Sequence, residues 1–205
     1  DVSEQMQVRL DKRARIIADG GQAYPVDLLR DHTLAQVRQK YTDDAGELTL
    51  APGEETADEV TVGGRVVFVR NTGKLCFASL QDGFTEASNG ERLQVMLSKA
   101  EVGDESLGAW KSDVDLGDHV WVRGRVVVSR RGELSIMAAE WRMASKALRP
   151  LPTLHKELSE ETRVRRRYAD LVVREESRQM VRTRAVITRA VRRALDERGF
   201  LEIET

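Results

Sequence analysis

The chain lacks the residues that mark exported and metal-stapled proteins. It holds a single cysteine, Cys76, so no intramolecular disulfide framework can form. Its three histidines, His32, His119 and His155, occupy unrelated settings, which excludes the clustered Cys and His ligands of a zinc site. No stretch of about 18 apolar residues exists. The start Asp1-Val-Ser-Glu-Gln carries no apolar signal core, and the expected location is the cytoplasm. Phosphate loops, glycine-rich dinucleotide turns and nucleophile elbows are missing as well. No catalytic residue and no metal ligand is assigned, and the chain alone is expected to catalyse nothing.

Excess charge of one sign is also absent, the formal net charge being −1. Its distribution is uneven. Residues 43–59 hold seven acids and no Lys or Arg, whereas residues 146–205 hold fifteen Lys and Arg against ten Asp and Glu. A local basic footprint is thus compatible with a near-neutral chain, and so is a set of solvated helix faces.

What is present is a central pattern of short strands. Residues 60–71 place Val60, Val62, Val66 and Phe68 on one face at the two-residue period of a half-buried strand. Gly63 and Gly64 interrupt that pattern and indicate a bulge or bend, such as a long strand needs to serve two edges of a small barrel. Further strands read from Leu75 to Gln81, Arg92 to Leu97, His119 to Val128 and Glu133 to Met143, with a helix from Glu101 to Trp110. Strand, strand, strand, helix, strand, strand is the order of an OB-type barrel, a fold that often binds single-stranded nucleic acid. The loop 82–91 is long for a hairpin, and its glycines predict a flexible excursion with Phe84 exposed.

Around this barrel, residues 4–18 predict a basic helix with Met6, Leu10, Ala14 and Ile17 near one face, closed by Gly20-Gly21. The cations Arg9 and Arg13 could follow a phosphate backbone or could simply be solvated. Thr33 and Gln36 form a capping-box pattern for a helix from Leu34 to Tyr41. Residues 42–59 read as a mobile acidic connection. After the barrel, Lys146-Ala-Leu-Arg-Pro-Leu-Pro152 reads as an extended linker. Ser159 with Glu160 and Glu161 starts a helix, and a longer helix covers about residues 176–197. Phe200-Leu-Glu-Ile-Glu-Thr205 alternates like the opening of a strand, as at the beginning of a further domain.

Single-stranded bases are read by stacking on rings and by hydrogen bonds to base edges, while Lys and Arg hold phosphates. Arg65, Arg70, Lys74, Phe77, Gln81 and Gln94 supply one ring, two amides and three cations on the first three strands. Arg130 and Arg131 lie at a hairpin where phosphate contact and an ordinary charged turn are equally compatible with the pattern. Phe77 on this pattern alone is either a stacking ring or a core residue.

A run of motifs then carries a resemblance. Gly73-Lys-Leu-Cys-Phe-Ala-Ser-Leu-Gln-Asp82, Asp115-Leu-Gly-Asp118, Arg131-Gly-Glu-Leu-Ser135, the 146–152 linker, Arg167-Tyr-Ala-Asp-Leu171 and Arg198-Gly-Phe-Leu-Glu-Ile-Glu-Thr205 together resemble the N-terminal part of bacterial lysyl-tRNA synthetases, most closely the actinobacterial members. The resemblance implies a mixed α/β chain in four parts. Residues 1–58 would be a helical extension with its acidic connection, 59–146 an OB-fold anticodon-binding domain, 147–158 a linker, and 159–205 the start of a class II catalytic domain. It implies that Phe77 stacks on the central anticodon base, that Arg70 and Gln94 read base edges of a uridine-rich anticodon, and that Glu133 contacts the third base. Arg9, Arg13, Arg65, Lys74, Arg130 and Arg131 become expected tRNA backbone contacts. The helix from Ser177 to Arg198 resembles class II motif 1, so Met180, Val181, Arg184, Ile187, Thr188, Val191 and Leu195 are expected at a homodimer interface. Motifs 2 and 3, which bind ATP, lysine and magnesium in the family, have no counterpart in these residues, so no cofactor is expected on this chain.

Aspartyl- and asparaginyl-type synthetases share the architecture, but the linker and the Gly-Lys-Leu-Cys-Phe strand favour the lysyl type. A bifunctional lysyl transferase that modifies a membrane lipid carries a similar module behind a membrane segment that these residues lack. A free-standing OB-type single-strand binder would have no use for a motif 1 helix.

Overall fold

The computed structural model describes residues 3–83, 90–152 and 158–204. Phe84, His155 and most of the long 82–91 loop lie outside the described residues. The chain divides into two compact units, one ending at Leu151 and the other beginning at Pro152.

In the first unit, five strands close into a barrel in the order β1-β2-β3-β5-β4. They are β1 (Glu55–Thr72), β2 (Leu75–Gln81), β3 (Arg92–Ser98), β4 (His119–Val128) and β5 (Leu134–Ser145). The long β1 pairs with β2 through its C-terminal half and with β4 through its N-terminal half. All neighbours are antiparallel except β3 and β5, whose parallel pairing closes the barrel. Alternation along the strands sends Val62, Val66, Leu80, Val95, Val122 and Ile136 into a core from which solvent is excluded.

Two expectations for β1 are corrected. The double glycine carries no bulge: Gly64 is where Leu80, Gln81 and the side chain of Leu34 come so close that a Cβ would lie 3.0–3.3 Å from them. The bulge falls between Val66 and Phe68. It adds one residue to the alternation, so Phe68 turns out of the barrel instead of joining Val60, Val62 and Val66 inside it. The strand also begins earlier than expected, within the acidic connection. Glu55 and Glu59 find Arg125 and Arg123 on β4 at 3.0 and 3.1 Å, and Thr42 bridges to Leu48, which orders a segment expected to be mobile.

Helices cover the barrel. The capping box forms as expected, with Thr33 and Gln36 each satisfying the other's backbone N–H at the start of α2 (Leu34–Lys40), whose Leu34 and Val37 are buried. The expected single helix after β3 is two, α3 (Lys99–Val102) and α4 (Asp104–Asp113), because Gly103 breaks the run at φ 83°. Trp110 of α4 is buried and meets Trp141 edge to face at 5.1 Å. The N-terminal helix α1 (Glu4–Ala18) is docked by its cations, with Ile16 packing against the core and Met6 and Leu10 half-buried. Arg9 donates to the carbonyls of Leu116 and Ala147, and Lys12 pairs with Asp115 at 2.7 Å. Arg15 pairs with Asp113, while Ile17 stays half exposed.

The linker is anchored where it leaves β5. The Lys146 ammonium, with no exposed surface, lies 2.6 Å from both Asp115 and Asp118. The backbone N–H groups of Asp115 and Ala147 donate to the Asp118 carboxylate. Burial alone would raise the Asp115 carboxyl, but the hydrogen bonds from Lys12 and Lys146 outweigh it and hold that group below its ordinary value.

The second unit holds α5 (Glu160–Arg165), α6 (Arg167–Val173) and α7 (Glu175–Asp196). Ser159 caps α5 as its position predicts. The buried Asp170 ties α6 to α7, accepting from Arg167 and Ser177 at 2.6 Å each. Beyond Arg178 the long α7 is mostly exposed, and Met180, Ile187, Val191 and Leu195 are among its uncovered apolar side chains. Residues 200–204 form no strand, contrary to the alternation of their sequence.

Candidate nucleic-acid interface

The register of the barrel sets its outward-facing residues in two cross-strand rows. One runs Arg70, Phe77, Met96, Met137 and the other Phe68, Ser79, Gln94, Ser135. All of these except Ser135, which is buried beneath Gln94, line a groove of about 1020 Å³, whose rim carries Arg38, Arg92, Arg130 and Arg131. Five arginines against two glutamates, Glu55 and Glu133, line it, so a protein with no overall excess of positive charge concentrates one here.

Inside the groove four polar groups have a defined setting. The Arg70 guanidinium lies over the Phe77 ring, 4.7 Å from its centroid. The Gln94 amide donates to Ser135 Oγ at 2.8 Å, and that hydroxyl donates to the Glu133 carbonyl at 2.9 Å, which fixes the amide's orientation. The Glu133 carboxylate projects from the hairpin 3.7 Å from Arg38 and is about half exposed. Arg38 itself reaches across from α2, pairing with Glu91 at 2.8 Å and donating to the Arg92 carbonyl at 2.7 Å. A ring, guanidinium donors, an oriented amide and an accessible carboxylate converge on one surface. Stacking, phosphate pairing and hydrogen bonding to base edges are what such a set can do.

Of the residues singled out in the sequence, Arg70, Phe77, Gln94, Glu133, Arg130 and Arg131 all line this groove. The remaining expected backbone contacts do not. Arg9 is buried and spends its guanidinium on two backbone carbonyls, which removes it from contact with phosphate. Arg13 stacks on Tyr24 at 5.5 Å. Arg65 donates to the Gly117 carbonyl at 3.0 Å, and its burial pulls the guanidinium pKa down from the ordinary value. Lys74 stands in the exposed β1–β2 turn and does not line the groove. Sequence reasoning missed Arg38 and Arg92, and placed Phe68 in the core. The register shift at the bulge hides Phe68 from any period-two reading, and α2 carries no signal that Arg38 reaches β3.

Among the described residues no group of three or more His, Cys, Asp or Glu side chains could hold a metal ion. No helix among them is long and apolar enough to cross a membrane. His119 is packed in the barrel, where burial first and the charge of Arg65 second push its imidazole down to about 4.

Comparison with known proteins agrees with this geometry. Residues 60–144 match the family described as OB-fold nucleic acid binding domain, and residues 159–205 match class II tRNA synthetases (D, K and N). The chain is therefore similar to the class II tRNA synthetases of that group, with its nucleic-acid-binding barrel placed first. Within the group it corresponds to the N-terminal part of the lysine–tRNA ligases. It is 60% identical over all 205 residues to lysine–tRNA ligase of Kineococcus radiotolerans and 57% identical to that of Mycolicibacterium gilvum, spanning 39% of each protein. Over 203 residues it is 38% identical to the lysylphosphatidylglycerol biosynthesis bifunctional protein LysX of Rhodococcus jostii, of which it spans 16%.

Proposed function

We propose that the barrel reads the anticodon of a lysine tRNA, and that the chain is the recognition part of an enzyme that uses ATP to attach lysine to that tRNA through a lysyl-adenylate. The observation that carries this reading is the convergence of Phe77, Arg70, Gln94 and Glu133 on one arginine-rimmed groove. A base swung out of the anticodon loop stacks on the Phe77 ring. Arg70 and Gln94 supply N–H donors to the uracil carbonyls, and the Glu133 carboxylate accepts the imino proton. Arg130 and Arg131 hold the backbone.

Lysine, ATP and magnesium bind elsewhere in such an enzyme, and none of the groups described above is assigned to them. Greater identity to the ligases than to the bifunctional protein supports the ligase reading over a lipid-modifying one. The same reading makes the protein cytoplasmic and its exposed α7 stripe, Met180, Val181, Arg184, Ile187, Thr188, Val191 and Leu195, a homodimer surface. Sedimentation that shifts to the monomer in Ile187→Asp/Val191→Asp supports that surface, and unchanged sedimentation rejects it.

The test of the anticodon reading is titration of the 205-residue chain with a stem-loop bearing the lysine anticodon and one bearing the aspartate anticodon, at two salt concentrations. Preference for the lysine loop that Phe77→Ala abolishes supports it. Equal binding of both loops, lost together as salt rises, reduces the groove to a generic phosphate site.

A further inference from the structure

Phe68 is the ring in the groove to which the anticodon reading gives no work. The bulge after Val66 turns it outward, where it is 54% exposed, so it adds little to the core that a buried phenyl ring normally stabilises. It stands two residues from Arg70 on the same face of β1, about 7 Å along the strand, and therefore one full row away from Phe77. Consecutive bases in a stacked strand follow each other at about 3.4 Å. Rings one row apart cannot hold such a stack, but they do fit bases splayed apart, the form in which loops are read. Beside Phe68 its row carries the Ser79 hydroxyl and the Gln94 amide, hydrogen-bonding groups at the height of a base edge. The arginine excess of the lining selects a polyanion over an apolar peptide as the occupant.

We infer that Phe68 is a second stacking platform, taking an unstacked nucleobase next to the one on Phe77, so that the groove grips two bases in separate rows. This rests on the anticodon reading of the same groove. The experiment measures affinity of the chain for the lysine anticodon stem-loop in wild type, Phe68→Leu, Phe68→Tyr and Phe77→Ala, on the intact loop and on loops made abasic at one position at a time. The expected result is a roughly 5- to 150-fold loss in Phe68→Leu and retention in Phe68→Tyr. The loss should vanish on one abasic loop, at a position adjacent to the one that cancels the effect of Phe77→Ala. Wild-type affinity in Phe68→Leu, or the same loss on every abasic loop, overturns the second platform. If Phe77→Ala weakens binding while Phe68→Leu does not, only the second platform falls. If both are silent, the anticodon reading falls with it. Thermal midpoints matching wild type confirm that the variants fold.

Discussion

Arg70 covers the ring of Phe77, its guanidinium 4.7 Å from the centroid and its strand position directly opposite. An exposed cation–π contact is worth about 0.5–1 kcal/mol, whereas a base on an aromatic ring contributes about 1–3 kcal/mol. On the anticodon reading, a base would displace the guanidinium and free it for the base's own carbonyls. Phe77→Ala should weaken binding of the lysine anticodon loop by roughly 5- to 150-fold. Arg70→Lys, which keeps the charge and loses the planar fork, should lower preference for the lysine loop more than it lowers the slope of affinity against salt. Anisotropy titrations at two salt concentrations measure both, and a Phe77→Ala protein with native affinity removes the ring from the mechanism.

Lys146 and Asp118 are paired without exposure to solvent. Lys146→Met strands the Asp118 charge inside the fold, a change that costs about 3–5 kcal/mol. For a domain of this size the melting midpoint should fall by roughly 6–20 °C, and added salt should leave the loss unchanged because the pair lies out of reach of screening ions. A shift within experimental error would show that the network contributes nothing to stability.

His119 makes the barrel sensitive to mild acid. Its folded pKa is about 4, against an ordinary value of about 6.5. Above the higher value both states hold a neutral ring. Between the two, the unfolded chain takes up a proton that the folded chain refuses, so stability is full above pH of about 6.5 and drains away as pH falls toward 4. The depressed Asp115 carboxyl adds its own loss only below its unfolded value, about 3.9. Urea midpoints followed from neutral to acid pH should fall less steeply through the upper window in His119→Gln than in wild type; parallel curves would exclude His119 as the source.

Gly124 is required by proximity. A Cβ there would lie 2.1 Å from the Met137 carbonyl oxygen on β5, which is backbone and cannot step aside. At Gly63 the nearest atom would be an ordinary 3.7 Å away. Gly124→Ala should destabilise the barrel by about 1–3 kcal/mol or more, with Gly63→Ala close to neutral. Equal denaturation midpoints for the two variants would contradict the close approach at β4 and β5.

These contrasts show where the chain could be read in advance. β2 and β4 were legible to the residue because turn signals bound them and every second side chain is apolar. β1 was legible only as far as Val66. One inserted residue reverses inside and outside, and nothing in the identity of Val67 announces it. Glycine was misread for a related reason: the sequence shows that Gly63 and Gly64 lack side chains, but only packing shows that Leu34 and Leu80 use the space at Gly64. The site followed the same division. Arg70, Phe77 and Gln94 stood on the first three strands in the pattern, while Glu133 and the role of each came from the family resemblance, and the strands that carry them come together. Arg9 resembled any surface cation until the fold supplied two carbonyls more than a hundred residues away.

The barrel is completed by three residue pairs, Gln94 with Ser135, Val95 with Ile136 and Met96 with Met137, while each other seam runs to seven pairs or more. Gln94 of the first pair and both residues of the third line the groove. A nucleic-acid loop bound as proposed would lie across them and act as a clasp on the shortest join in the ring of strands. Binding and fold integrity then become one property: the occupied barrel resists opening along β3 and β5, and amide hydrogens on those strands exchange more slowly for as long as the clasp holds.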